Sequence, residues 1–340
     1  MNRIFSFSIW TIGVLFVLGV LFGYGTAFAK TYTLKMQSVY PETSHGPQML
    51  KKFAAKVEEY SKGQVKVKLF WPGQLVHLKE GYDAVSKGMV DGIYSCLIYY
   101  GGIVPEGKTE WLPFTWRDPK ECYDLYMNAG YLKLMRQANA KHNVFYLFPM
   151  MSGTMGCMTK FPVKSLADFK GKKMRATGMD GAIVKLLGCA AVSLPATELY
   201  MTLQRGTVDG IIYPFYTLRT YKLYEVVSNI VLPGFHTPSI SGVYLNMDWW
   251  KSLPSDLQKV VEKAGIETFY QSSLGSVEWD KEALQEAKAK GVKVDVLPPA
   301  DVNKLRTMCL PLWDKVAAAS PLNKEIVDLF VSYLKQKGAL

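Results

Sequence analysis

At 340 residues the chain is too long for one small core and suits two domains of common size. Hydrophobic residues make up 49% and charged residues 20%, with no polar low-complexity tract, which excludes a disordered protein. The formal net charge of +11 comes without a compact arginine-rich face, so no nucleic acid partner is expected.

The first 29 residues stand apart. Arg3 is their only charged side chain, the apolar run IWTIGVLFVLGVLF follows, and Ala27-Phe28-Ala29 has the small-x-small pattern of a signal-peptidase site. The apolar run is shorter than the roughly 20 residues a bilayer span needs. The pattern predicts a signal peptide over 1–29, cleaved after Ala29, with an uncleaved anchor as the alternative. The mature chain then begins at Lys30 and works outside the cytoplasmic membrane. Without Arg3 it carries 39 basic against 29 acidic side chains, net +10, a field that attracts anions unless it is only a solvated lysine-rich surface. Cys96, Cys122, Cys157, Cys189 and Cys309 have no C-x-x-C spacing and an odd count, so at least one is not in an intramolecular bridge. Cys157 and Cys189 could pair; buried small hydrophobes are the plainer reading.

From Lys30 onward, YTLKMQSVY (32–40) alternates like a strand. A helix follows with Met49, Leu50, Phe53, Val57 and Tyr60 on one face, Ser44 at the N-cap position and Gly63 as its stop. QVKVKLF is a period-two strand, a second helix runs to AVSKG, and VDGIYSCLIYY is a buried strand. This β-α-β-α-β order predicts an open parallel sheet. The same grammar returns: NVFYLFPM as a strand, SLADFKG as a short helix with Ser165 as cap, KKMRAT as a strand, GAIVKLLGC as a helix, AVSLP as a strand, ATELYMTLQRG as a helix and TVDGIIYP as a strand. The stretch 255–290 is helical for most of its length, with an interruption expected near Gly265 or Gly275. It is long enough to brace two domains. A late strand, VKVDVLP, and two terminal helices complete the chain.

Two segments are near copies: AVSKGMVDGIYS at 84–95 and TLQRGTVDGIIY at 202–213. In each, a cation and a glycine end a helix, and Val-Asp-Gly enters a buried strand. Two similar α/β units facing one another explain the echo. The repetition also assigns Asp91 and Asp209 to a turn or strand start rather than to paired acid and base chemistry.

The four histidines are isolated, and there is no H-E-x-x-H, G-x-S-x-G or G-x-x-x-x-G-K-[ST] motif. Neither a cofactor nor a metal is expected, and an enzyme is unsupported. Arg175 stands out instead. It sits toward the carboxyl end of the short strand in FKGKKMRATG, the edge of an α/β sheet at which ligands bind, and its guanidinium is a rigid fork for a carboxylate. The competing reading is a surface salt bridge.

The run SLADFKGKKMRATG…LGCAAVSLPATELYMTLQRGTVDG strongly resembles the solute-binding proteins of TRAP (tripartite ATP-independent periplasmic) transporters, and GQVKVKLFWPGQL…AVSKGMVDG and SLPSDLQKVVEKAG resemble further family signatures. The resemblance covers essentially the whole mature chain. It implies a two-domain periplasmic-binding-protein-like α/β fold, each domain a sheet flanked by helices, with a long helix bridging them. Domain one would comprise 30–152 plus about 240–280, and domain two 153–239 plus about 281–340, with the ligand cleft between them. It implies capture of an organic acid anion in the periplasm and delivery to the membrane subunits of a TRAP permease driven by an ion gradient. A binding protein serving a membrane sensor, or an exported enzyme on the same scaffold, are the alternatives. The arginine that grips the ligand carboxylate in the family falls on Arg175.

Many relatives carry a second arginine on the preceding strand and an asparagine after VDG; here Met155 and Tyr213 take those places. A thioether cannot pair with a second carboxylate, and a phenol offers one hydrogen bond beside a large apolar face. Tyr40, Trp71, Leu97, Tyr99 and Tyr100 follow strands of the opposing unit. These residues predict a monocarboxylate with an apolar or aromatic body, such as a 2-oxo or hydroxy acid whose oxygen meets Tyr213. Arg219 is the cation that would rescue a dicarboxylate if its helix faces the cleft.

Overall fold

The computed structural model describes residues 30–236 and 238–338. The expected signal peptide lies outside them.

The first sheet has the order β2-β1-β3-β10-β4. It comprises β1 (Tyr32–Ser38), β2 (Val65–Phe70), β3 (Gly92–Ser95), β4 (Val144–Met151) and β10 (Ile240–Asn246). The crossovers between its parallel strands carry α1 (His45–Tyr60) and α2 (Gly81–Ser86), as the periodicities predict. The second sheet has the order β11-β9-β5-β8-β6-β7. It comprises β5 (Met155–Thr159), β6 (Lys173–Arg175), β7 (Ala190–Val192), β8 (Gly210–Pro214), β9 (Asn229–His236) and β11 (Lys293–Val296). Its crossover helices are α5 (Met179–Leu186) and α6 (Leu199–Gln204).

Neither sheet is purely parallel. Strand β10 lies antiparallel between β3 and β4, and β5 lies antiparallel between β8 and β9. Strand β4, which opens the second run of the pattern in sequence, belongs to the first sheet, and β5 is the strand that starts the second. The chain therefore changes sheets three times, once along the stretch from β10 to β11 and twice by short connections, at Ser152–Thr154 and after His236. These two connections pair with each other: the Ser152 N–H donates to the Ser239 carbonyl at 2.8 Å and the Ser239 N–H to Gly153 at 3.1 Å.

The echoed segments occupy equivalent places. Gly88 and Gly206 both have positive φ, +70° and +68°, and end α2 and α6. The Asp91 carboxylate accepts the Lys35 N–H at 2.8 Å, one residue before β1 begins to pair with β3. The Asp209 carboxylate accepts the Lys173 N–H at 2.7 Å, one residue before β6 pairs with β8. The Asp91 and Asp209 carbonyls each take an N–H from the antiparallel neighbour, Asn246 and Lys160, both at 2.8 Å. Each aspartate thus joins three strands at the start of a buried one.

The helix α9 (Ser255–Ala289) runs 35 residues without the interruption expected near Gly265 or Gly275. At Gly265 the absent side chain admits Phe148 of β4, whose ring would lie 2.5 Å from a Cβ there. That glycine serves helix-on-sheet packing, not a break. Helix α9 packs on β4 and α1, on α3 (Pro119–Met127), and on α7 (Thr217–Thr220) beyond the second sheet. The last two helices, α10 (Pro299–Ala317) and α11 (Pro321–Gln336), pack on each other; α11 also meets the segment Pro105–Trp111 and α4 (Tyr131–Ala140). All five cysteines are free and buried, so Cys157 and Cys189 form no bridge.

Candidate ligand-binding site

Strands β1, β3, β8 and β10 end at the junction of the two sheets, and their ends wall a small cavity there. The first sheet contributes Tyr40, Tyr94, Tyr99, Trp111 and Ser241, together with Gly46 and Pro47 at the start of α1. The second contributes Met155, Tyr213, Pro214 and Tyr216, and the sheet-to-sheet connections add Ser152 and Ser239. Among the described residues, no charged side chain lines it. The enclosed space is about 30 Å³, room for about two waters.

Of the residues singled out from sequence, Tyr40, Tyr99, Met155 and Tyr213 meet at this cavity. Arg175 is not among the lining residues but touches two of them. Its guanidinium carbon lies 5.1 Å from the Tyr213 ring centroid. The Tyr99 phenol is raised by burial and partly pulled back by the Arg175 charge beside it. Arg175 is only 2% exposed. Its Nε and Nη2 donate to the Leu194 carbonyl at 3.1 and 2.7 Å, and no salt bridge to it is present among the described residues. Two of its five N–H groups are thus used to orient the fork, and three are left. A buried guanidinium held by a carbonyl, a ring face and the neutral Tyr99 hydroxyl keeps an uncompensated charge, which an anion would neutralise.

Trp71 and Leu97 lie elsewhere. Leu97 is fully buried and fills the space beside Gly107. Trp71 flanks Lys51, whose ammonium is 5.6 Å from its ring centroid. Position after a strand was the signal for both, but the side-chain direction alternates there and the segment Leu97–Tyr100 turns as a 3₁₀ helix.

Other residues that build the site gave no motif. Tyr216, Ser239 and Ser241 are brought in by β10 and by the turn after β8. Ser241 meets the Tyr40 hydroxyl at 3.0 Å. Ser44 makes no side-chain cap to α1; its hydroxyl reaches the Tyr221 hydroxyl at 2.9 Å across the junction. The His45 ring stacks on Trp279 with centroids 4.4 Å apart and meets Tyr216 edge-on at 5.0 Å. Burial and then Arg219 lower His45 to about 4, so the ring is neutral at ordinary pH. Arg219 itself pairs with Glu282 and, at 3.2 Å, with Glu286 of α9, so its charge is already balanced. Burial pushes the Tyr40 and Tyr213 phenols well above their usual range, leaving both neutral donors.

A second, wider pocket of about 250 Å³ opens on the other side of Tyr99, which lines both. Its walls are Val39, Pro72, Gly73, His77 and Leu78 from one side and Pro195, Ala196 and Thr197 from the other. The carbonyl that orients Arg175 immediately precedes that second wall. Among the described residues, no group of three or more His, Cys, Asp or Glu side chains could hold a metal ion.

Residues 36–320 match the family of bacterial extracellular solute-binding proteins, family 7. The chain belongs to that family. Its relatives include a monocarboxylate 2-oxoacid-binding periplasmic protein of Nostoc sp., 27% identical over 289 residues, which cover 83% of this chain and 79% of that one. The C4-dicarboxylate-binding periplasmic protein of Rhodobacter capsulatus is 28% identical over 307 residues, 89% of this chain and 88% of that one. Among solved structures, a TRAP periplasmic solute-binding protein of Desulfovibrio salexigens with bound orotic acid superimposes with a TM-score of 0.84 at 25% identity, covering 90% of this chain and 99% of that one. This solute-binding protein thus has the family's two sheets flanked by helices, and the family is one of binding proteins rather than enzymes. Identity of 27–28% to relatives with such different ligands leaves the choice of ligand to the site.

Proposed function

We propose that this protein captures a monocarboxylate with an apolar or aromatic body in the periplasm and delivers it to the membrane subunits of a TRAP permease. The observation that carries the reading is Arg175, a buried cation without an anionic partner among the described residues, set beside a cavity that none of their charged side chains lines. One carboxylate balances one guanidinium. A second would be buried against tyrosines and a thioether, at a cost of several kcal/mol on the order of an unpaired buried charge. Met155 and Arg219 bear on the same point, since the first is neutral and the second is engaged by Glu282 and Glu286.

The carboxylate takes the place of the Tyr99 hydroxyl at Arg175, and the body extends into the 250 Å³ pocket beyond Tyr99, whose walls are mainly apolar. Lobes of 30–152 plus about 240–280, and 153–239 plus about 281–340, separate about the paired connections to admit the ligand, because 30 Å³ is too small for any organic acid. A thermal-shift panel tests the reading: ligand at 100 times Kd adds about 2.7 kcal/mol of stability. Monocarboxylates are expected to stabilise the protein. Stabilisation by succinate or malate and by no monocarboxylate overturns the reading.

A further inference from the structure

Four buried side-chain polar atoms lack a hydrogen-bond partner among the described residues: Glu110 Oε2, Trp111 Nε1, Thr220 Oγ1 and Tyr244 Oη. Only Trp111 belongs to a residue that lines the inner cavity. Its indole is 7% exposed and ends the 3₁₀ segment Pro105–Trp111. The ring is fixed from behind. It meets His236 edge-on with centroids 5.4 Å apart, and His236 Nε2 lies 3.1 Å from the Asp180 carboxylate, both buried. The neighbouring polar group is the Cys96 thiol, which burial keeps protonated and which is a weak acceptor at best. A buried N–H with no acceptor better than a thiol is a cost that folded proteins rarely carry without a use for it.

We propose that Trp111 is the second polar anchor of the ligand, its indole N–H donating to an oxygen on the carbon next to the carboxylate. The proposal deepens the function proposed above and rests on it only for the number of carboxylates. Trp111 lines a cavity with room for about two oxygen-sized atoms, and the cavity's Tyr99 and Tyr213 also touch Arg175, so an acceptor that meets Trp111 sits close to a carboxylate held by Arg175. An indole donates and cannot accept. It therefore favours a 2-oxo or 2-hydroxy oxygen and disfavours a bare methylene or a 2-ammonium group at that place. A site built to hydrogen-bond a substrate oxygen rejects the analogue that lacks it, because the buried donor is again left alone.

Calorimetry on matched pairs tests this. In the wild type, 4-methyl-2-oxopentanoate is expected to bind about tenfold tighter than 4-methylpentanoate, the value of one hydrogen bond, and tighter than leucine. Trp111→Phe keeps the ring and removes the donor, so the preference should collapse toward one while affinity for 4-methylpentanoate holds. If the wild type binds only dicarboxylates, the monocarboxylate reading fails, and the malate–succinate pair carries the same comparison for Trp111. An unchanged ratio in Trp111→Phe, or an equal loss for both members of a pair, overturns the proposal. Should Trp111→Phe fold poorly, the Trp111 indole ¹⁵N–¹H resonance of the unmodified protein decides: it shifts with the oxygenated member of the pair and not with the other. The same shift with both overturns it.

Discussion

A side chain at Gly178, on the second sheet's side of the junction, would overlap Ile98 on the first. Gly178 also has a φ of +59° and precedes α5, so the position suits glycine twice over. Gly178→Ala should leave two folded lobes that cannot meet. We expect ligand affinity to fall at least about tenfold, or about 1.4 kcal/mol. In small-angle scattering, wild type should shrink on saturation while the variant keeps its radius of gyration. Equal contraction in both would show that this contact does not limit closure.

Arg175→Lys keeps the charge and loses the fork. Leu194 holds the guanidinium through two donors from one side, a geometry one ammonium cannot copy while also gripping a carboxylate. Truncating a buried, hydrogen-bonded charge pair costs about 2–5 kcal/mol. Calorimetry should therefore show most of the affinity gone. A loss under about threefold would remove Arg175 as the anchor.

Asp91 and Asp209 should matter to folding and not to ligand. Each accepts one backbone N–H at a strand start and none of its atoms lines either pocket. Asp91→Ala and Asp209→Ala are each expected to cost about 1–3 kcal/mol in urea unfolding. Calorimetric Kd should stay within about twofold of wild type. A selective loss of binding would contradict the structural role.

Acid should loosen the closed form through His45. Its pKa in the fold is about 4, below the ordinary histidine value of about 6.5, so the unfolded or opened chain binds the proton more readily. The stability this neutral ring contributes is complete above about pH 6.5 and is lost as pH falls through about 4. The ring's contacts with Trp279 and Tyr216 are the ones at stake, and Arg219, itself paired with Glu282 and Glu286, is the cation that faces it. Affinity should fall by up to about twentyfold between pH 7 and pH 5, and His45→Phe should flatten that part of the profile. A profile that His45→Phe leaves unchanged would place the titration elsewhere.

Local pattern was enough for much of this molecule. The repeated Gly-x-Val-Asp-Gly places two glycines at positive φ and two aspartates at strand starts because those are requirements of short segments: a helix stop, then a first amide that needs an acceptor. The strand-to-helix order around Arg175 likewise put its guanidinium at a carboxyl edge. What the sequence could not announce is where the chain changes sheets. Strand β10 reads like any buried apolar run, yet it pairs antiparallel between β3 and β4, and this brings Ser241 and Ser239 beside Tyr40 and Met155. Periodicity reports which face of an element is buried and says nothing of its partner. The same holds for side chains whose role is set by what lies opposite: Ser44 turns from cap to cross-junction contact with Tyr221, Gly265 becomes a seat for Phe148, and Leu97 goes into the core while Tyr99 divides the two pockets. Trp111 is the clearest case. It carries no motif, and its N–H gains meaning only because tertiary packing buries the residue at the cavity and supplies no acceptor better than the Cys96 thiol.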